Sequence, residues 1–384
     1  MPILYTTLLA NIMDSGLYTN VTSTTPIRTI INRGARKVLS DIDLRSTKRM
    51  SSSLKFFNDI YTYTCPTDLK GRAIIDILPQ GIRDLDTRRF LANPSDFDRK
   101  KTAYKNMVAI SDDSFVRKLK ASLDVKEEQQ LISEFISLKE NTGTWTAVGD
   151  AENLVIDTSN YVSTAGSLRF DINDSGGALA GVSILGIGKI DLTNYKSDGS
   201  AFIWAYITDI TNIASYILGL GSDYLNYYSM VINTQADGTA FVNGWNLIRF
   251  DFSEKTTIGN PDDNNCDFVF IGLIKDTEKI SETGYRFDSL VLHSGWYNKV
   301  LYYSKYPWQT EDGVWIANST ADTDLINADE DELELFTERC KIELFRDLKD
   351  YDQMKLAQNE YEMLKQNYKM KNPTEKLKVE TYYY

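Results

Sequence analysis

From about Thr144 to Leu292 the chain is written in short runs of β-branched and aromatic residues, separated every dozen residues or so by Gly, Asp, Asn and Ser. That punctuation restricts the segment to strands joined by turns, because a helix needs an uninterrupted apolar stripe at every third or fourth residue. The runs are Leu154 to Ile156, Ser167 to Ile172, Ala201 to Ile207, Ser215 to Leu220, Tyr227 to Ile232, Trp245 to Phe252, Phe268 to Leu273 and Arg286 to Leu292. Strands at this spacing, with no alternating helices, predict a two-sheet sandwich of the jelly-roll kind and argue against a parallel sheet. Alternation places Phe202, Trp204 and Tyr206 on one sheet face, and Leu247, Arg249 and Asp251 on the face opposite Ile248 and Phe250.

Both ends of the chain have a helical period instead. Leu4, Leu8, Leu9, Ile12 and Met13 share a face before the turn signal Asp14-Ser15-Gly16. Thr25-Pro26 starts a second helix with stripe Ile27, Ile30, Ile31, Gly34 and Val38, whose polar face carries Arg28, Arg33, Arg36 and Lys37. Such a basic face is either solvated or set against an acidic neighbouring subunit. Near the other end, Leu333, Phe336, Cys340, Leu344 and Leu348, then Met354, Ala357, Tyr361, Leu364 and Tyr368, step by three or four up to Pro373. Whether Asp347 to Asp352 is a turn or continuous helix is open. Between Leu54 and Leu138 the reading is a hairpin of Ile60–Tyr63 and Ala73–Leu78, a charged exposed excursion from Arg83 to Lys101, strands at Met107–Ile110 and Phe115–Leu123, and a helix over Glu127–Leu138.

The composition narrows function mainly by exclusion. A net charge of −12 argues against a protein whose main task is to grip nucleic acid, although an acidic wall suits a channel that DNA must pass without sticking. No apolar run is long enough to span a bilayer, and Met1 to Met13 lacks a basic region ahead of its apolar stretch, so neither membrane insertion nor secretion is expected. Cys65, Cys266 and Cys340 are too scattered for a disulfide framework or a zinc site, and each reads as a small buried hydrophobe. The one histidine, His293, reads as a half-exposed structural residue. Gly186-Ile187-Gly188 and Gly219-Leu220-Gly221 fail as phosphate loops because Asp191 and Tyr224 stand where the third glycine belongs. The Asp262 to Asp267 loop has no glycine at the sixth position of a calcium loop and reads as a polar turn. None of the 54 acidic residues stands in an aromatic, glycine-framed setting that would raise a carboxyl pKa for glycoside hydrolysis. The chain is therefore read as a non-enzyme without a cofactor.

The rings are the stronger recognition candidates. Trp204, Tyr206, Tyr224, Tyr227 and Tyr228 form a sugar-stacking platform if they point outward, and core filling if they point inward. Of these, Tyr224, Tyr227 and Tyr228 are the candidate glycan contacts.

Two resemblances complete the reading. Ser167-Leu168-Arg169-Phe170-Asp171, Gly244-Trp245-Asn246-Leu247-Ile248-Arg249-Phe250-Asp251 and Tyr285-Arg286-Phe287-Asp288 resemble the jelly-roll, carbohydrate-binding-module-like inserts of tailed-phage structural proteins. In such inserts the Gly-Trp-Asn strand and the last Asp are chiefly structural, and a calcium ion is often held, which here implies Asp150 or Glu152 with Asp288. Tyr61-Thr62-Tyr63-Thr64-Cys65-Pro66-Thr67-Asp68-Leu69-Lys70, with two helices before it and Glu343 to Pro373 at the far end, resembles tailed-bacteriophage head-to-tail connector proteins. The implied architecture is a multidomain α+β chain. Residues 1–140 and 297–384 form a small helical connector domain, and 141–296 form the inserted sandwich. The implied function is a virion neck adaptor, a dodecameric ring joining the portal protein to other neck or tail proteins, with DNA passing through its channel and Tyr382, Tyr383 and Tyr384 docking on the portal. The alternatives are a glycan-binding adhesion or tail-fibre component and, more distantly, a polysaccharide-active enzyme.

Overall fold

A computed structural model describes residues 2–13, 26–52, 54–79, 90–102, 106–112, 117–123, 125–163, 165–276 and 281–373. The turn expected at Asp14-Ser15-Gly16, the cap residue Thr25 and the tail Tyr382, Tyr383 and Tyr384 lie outside these residues. The chain forms two compact units, one of Met1–Leu54, Cys65–Leu91 and Asn298–Tyr384, the other of Lys55–Thr64 and Ala92–Tyr297. The described helices are α1 (Tyr5–Met13), α2 (Ile27–Asp41), α3 (Pro94–Lys100), α4 (Glu330–Leu348) and α5 (Tyr351–Lys371). None of them is long and apolar enough to cross a membrane.

In the first unit, helices from both ends of the chain share one core. Tyr5, Leu8 and Ile12 of α1, Ile30, Ile31 and Val38 of α2, Leu335, Phe336 and Leu344 of α4, and Ala357 and Tyr361 of α5 are all buried together. Each large aliphatic or aromatic side chain placed there contributes about 1.5–3 kcal/mol. Helix α2 reaches α4 at Gly34, where a Cβ would lie 2.6 Å from Cys340 Sγ, so only glycine permits this approach. The start of α4 is a capping box: Asp329 Oδ1 accepts from Glu332 N at 2.9 Å, and Glu332 answers on the Asp329 amide. At its other end Lys349 adopts φ 61° and Asp350 caps α5 by accepting from Gln353 N at 3.1 Å. Between Asp347 and Asp352 the helix is thus interrupted by a turn at Lys349 and Asp350, made possible by one left-handed residue.

The expected hairpin is absent. Thr62–Thr64 pairs with Lys118–Ser122 in the second unit, while Leu69–Pro79 belongs to the first and pairs with the Asn298 to Ser304 part of strand Trp296–Ser304. The charged excursion contains α3, which buries Phe97 completely. Residues 92–140, expected with the helical ends, fold in the second unit.

The second unit is built on an antiparallel β-sandwich. Its strands are β1 (Gln129–Ser133), β2 (Thr146–Gly149), β3 (Ala151–Asp157), β4 (Ser167–Ile172), β5 (Leu179–Ile190), β6 (Ser200–Ile207), β7 (Ile213–Asp223), β8 (Asn226–Ile232), β9 (Gly244–Asp251), β10 (Thr256–Ile258), β11 (Cys266–Lys275) and β12 (Glu282–His293). One sheet has the order β2-β5-β11-β7-β8-β10. The other has β3-β4-β12-β6-β9, with β1 paired to the last residues of β12. Between them lies a core that includes Phe170, Val182, Ile203, Tyr216, Leu218, Ile248, Phe250, Ile271 and Phe287. The helix expected over Glu127–Leu138 is strand β1 instead. Phe135 takes φ 53°, which breaks any helix, and pairing with β12 outweighs the local spacing of Leu131, Phe135 and Leu138.

Candidate functional site

The face of the β3-β4-β12-β6-β9 sheet that points away from the core carries the aromatic row. On β6 the buried core residues are Ala201, Ile203, Ala205 and Ile207, so alternation turns Phe202, Trp204 and Tyr206 outward. The core-filling alternative for Trp204 and Tyr206 is therefore wrong. Register then builds the face row by row. Tyr206 is opposite Trp245 on β9 and Arg286 on β12, and Arg286 is opposite Arg169 on β4, which is opposite Val155 on β3. In the next row Trp204 lies between Leu247 and Asp288.

One end of this face is closed by the chain itself. Phe57 packs edge-on against Phe202 at 4.8 Å and against His293 at 5.8 Å between ring centroids, and Arg249 lies over Phe57 at 4.9 Å. Phe202 is buried as a result. His293 is buried too, with Nδ1 3.0 Å from Glu127 Oε1, which corrects the expectation of a half-exposed histidine. Farther along, Trp204, Tyr206 and Trp245 remain half-buried, with the Tyr206 and Trp245 rings 5.4 Å apart and steeply inclined.

Polar groups around these rings are held rigidly. Asp157 accepts both Ser159 N and Ser159 Oγ, and it accepts Arg286 through Nε at 2.9 Å and Nη2 at 2.8 Å. The Ser159 hydroxyl first, and the Arg286 guanidinium with it, hold the Asp157 carboxyl well below the usual carboxylate range. The same guanidinium lies 4.9 Å from the centre of the Tyr206 ring. Arg169 donates to Asp171 at 3.2 Å. Asp288, fully buried, accepts Val162 N, Ser163 N and Ser163 Oγ, while Trp245 Nε1 donates to Asn160 Oδ1 at 2.9 Å. These bonds fix the loop after β3 along the rim of the face. The structural role implied for the last Asp fits Asp288, whereas Trp245 stands on the outer face with the other rings.

The candidate contacts Tyr224, Tyr227 and Tyr228 are not brought together. Tyr224 is 68% exposed, between β7 and β8. Tyr227 lies on the outer face of the other sheet, edge-on to Phe268 at 5.8 Å. Its neighbour Tyr228 points into the core and donates to Asp263 at 2.6 Å; burial, with Asp263 behind it, pushes its hydroxyl up to about 12. Adjacent strand residues cannot serve one face, so no platform of Tyr227 and Tyr228 exists. Trp245, Arg286, Arg169 and Asp157 were missed from sequence. For Trp245 its parity with Leu247 and Arg249 on β9 was the available signal, but nothing local tells which parity faces water.

The carboxylates considered for calcium also have separate duties. Asp150 is paired with the buried Lys275, Glu152 accepts from Asn173, and Asp288 holds the loop after β3. Among the described residues no three His, Cys, Asp or Glu side chains gather as metal ligands. The acidic loop is divided likewise: Asp263 takes Lys196 and Tyr228, and Asp267 accepts Gly188 N at 2.8 Å. All three cysteines are buried, and burial pushes the Cys266 thiol up to about 12.

No protein-family model and no curated protein matches the chain. Among solved structures, a family 30 carbohydrate-binding module is similar at 13% identity, covering 43% of this chain and 98% of the module, with a TM-score of 0.32. A family 11 carbohydrate-binding module from Clostridium thermocellum, in complex with a β-1,3-1,4-mixed-linked tetrasaccharide, is similar at 11% identity, 43% of this chain, 94% of the module and a TM-score of 0.31. An exo-β-agarase is similar at 10% identity over 43% of this chain and 24% of its own length, with a TM-score of 0.28.

Proposed function

We propose that the protein is a glycan-binding attachment component that holds a saccharide on the outer face of the β3-β4-β12-β6-β9 sheet. The observation that carries this reading is the set of three half-buried rings, Trp204, Tyr206 and Trp245, on a face whose other end is closed by Phe57. Flat rings with exposed area accept the C–H face of a pyranose, and fixed planar groups beside them, the Arg286–Asp157 pair and Arg169, suit vicinal hydroxyls. Binding without turnover is the better reading of these groups. A glycosidase acid needs a raised pKa, and Asp157 is held in the opposite direction. A glycan array followed by affinity electrophoresis tests the assignment: retention by at least one polysaccharide, lost in Trp204→Ala and Trp245→Ala, is the expected result. Equal retention of those variants and the wild type would refute it.

A second reading, an assembly protein of the head-to-tail connector kind, draws on one observation, the core shared by α1, α2, α4 and α5 from the two ends of the chain. Electron microscopy of the purified protein tests it, with closed rings as the expected outcome and single subunits as the contrary one.

A further inference from the structure

Helix α4 carries opposite charges on opposite sides. Glu343 is fully buried on the side that meets α2, where Lys37 Nζ lies 2.7 Å and Arg346 Nη1 2.9 Å from its oxygens, with Arg33 at 3.3 Å and Arg339 at 3.5 Å. Arg36, exposed on α2 between Arg33 and Lys37, extends this group. Its only second carboxylate among the described residues is Asp347, 3.9 Å from Arg33. Four cations thus surround two carboxylates, with Arg36 exposed beside them, and one buried Glu cannot neutralise the cluster it anchors.

The other side of α4 is acidic. Glu330, Glu334 and Glu338 recur at every fourth residue and, with Glu360 of α5, line a groove of about 330 Å³ floored by Leu333 and Leu364. Lys341 pairs with Glu338 at 2.6 Å, and no cation is paired with Glu330, Glu334 or Glu360 among the described residues. Burial pushes the Glu338 carboxyl above its ordinary range, and Glu360 and Glu334 push in the same direction against the pull of Lys341. At 3.6 residues per turn the acidic row lies roughly 140° around α4 from Arg339, Glu343 and Arg346. The two faces cannot meet within one copy of the helix, and neither complements itself.

We propose that this unit binds a second copy of the chain head to tail, the cationic face of α2 and α4 on one copy seated against the acidic groove of α1, α4 and α5 on the next. Complementary faces on opposite sides of one helix favour a heterologous contact, which propagates or closes into a ring, over a twofold pair. The inference goes beyond the glycan reading and stands on the first unit alone. It makes a chain of net charge −12 self-associate only where the local charge is reversed, because elsewhere like copies repel.

Salt weakens the attraction and the general repulsion together, so charge exchange is the sharper test. Sedimentation velocity on the full chain should show a mass that rises above the 43.7 kDa monomer with concentration. Arg36→Glu and Glu334→Lys, both at exposed positions, should each weaken association at least about tenfold while thermal melts stay unchanged. In an equimolar mixture of these two variants the unchanged faces pair and so do the two exchanged ones, so the mixture should associate where each variant alone does not. The double variant, with both signs exchanged, should recover association. A wild-type mass that stays monomeric up to about 100 μM, single variants that associate like wild type, or a double variant no better than the singles would each overturn the proposal.

Discussion

The ammonium of Lys275 on β11, with no exposed side-chain surface, is paired with the carboxylate of Asp150, the residue between β2 and β3. Asp150 also accepts Ser175 Oγ and Gly177 N, so one buried ion pair fixes the β2-β3 turn and the segment before β5. Because either charge alone would be stranded in the interior, Lys275→Met and Asp150→Asn are each expected to cost about 3–5 kcal/mol, read by urea denaturation. The double variant Lys275→Met with Asp150→Asn should be less damaging than the sum, because no lone charge remains. With Lys275 supplying the positive charge at Asp150, a chelator is expected to leave the Tm unchanged.

Acid should act through the same carboxylates. Burial alone would raise the pKa of Asp150, but the Lys275 ammonium and the Ser175 and Gly177 donors outweigh it and bring it below its ordinary value. Asp157 is depressed by Ser159 and Arg286. A folded pKa below the unfolded value means the unfolded chain binds more protons on acidification, so this stability is complete above about pH 4 and is lost as the pH falls through the folded values. Tm is therefore expected to decline below about pH 4, with a shallower decline in Asp150→Asn. An equally steep decline in that variant would contradict the assignment.

The two outer faces of the sandwich give opposite expectations for ring removal. Trp204→Ala and Trp245→Ala should each weaken binding of a retained polysaccharide by about tenfold or more, while Tyr227→Ala, on the other sheet, should leave affinity unchanged. Isothermal titration with the same glycan measures all three. A loss confined to Tyr227→Ala would move the site to the β2-β5-β11-β7-β8-β10 sheet.

Tyr228 offers a separate check on the inward assignment. Tyr228→Phe removes only the hydrogen bond to Asp263 and should cost about 1 kcal/mol with no effect on glycan affinity, whereas Tyr228→Ala empties part of the core and should cost about 3–5 kcal/mol. Chemical denaturation distinguishes the two.

Gly34→Ala tests the contact between α2 and α4. An added methyl meets Cys340 Sγ at 2.6 Å and the Cys340 Cα at 2.9 Å, so backbone must move. The helix-propensity gain of alanine, about 1 kcal/mol, is expected to be overridden by overpacking of about 1–3 kcal/mol or more, lowering Tm in a thermal melt.

Much of the architecture was legible without coordinates. Glycine-, asparagine- and aspartate-rich separators located the sandwich strands, and the Leu333–Leu348 and Met354–Tyr368 stripes located the late helices, because local backbone preference and apolar period agree there. The period misled at Glu127–Leu138, where a short helical spacing was overruled by an open edge of β12. It also misled at Thr62–Thr64 and Leu69–Pro79, two strands close in sequence that pair with partners far along the chain. The candidate site was half legible: Phe202, Trp204 and Tyr206 were placed on one face, but not on the outward one.

By itself the sequence determined which residues travel together: Phe202, Trp204 and Tyr206 on one face of β6, and Leu247, Arg249 and Asp251 on the face of β9 opposite Ile248 and Phe250. Only the tertiary structure decided which of two equivalent faces would be covered, since strand alternation is symmetric until a second sheet packs on one side. The same holds for Lys275 and Asp150, 125 residues apart, whose charges are tolerable in the interior only because the fold brings them together.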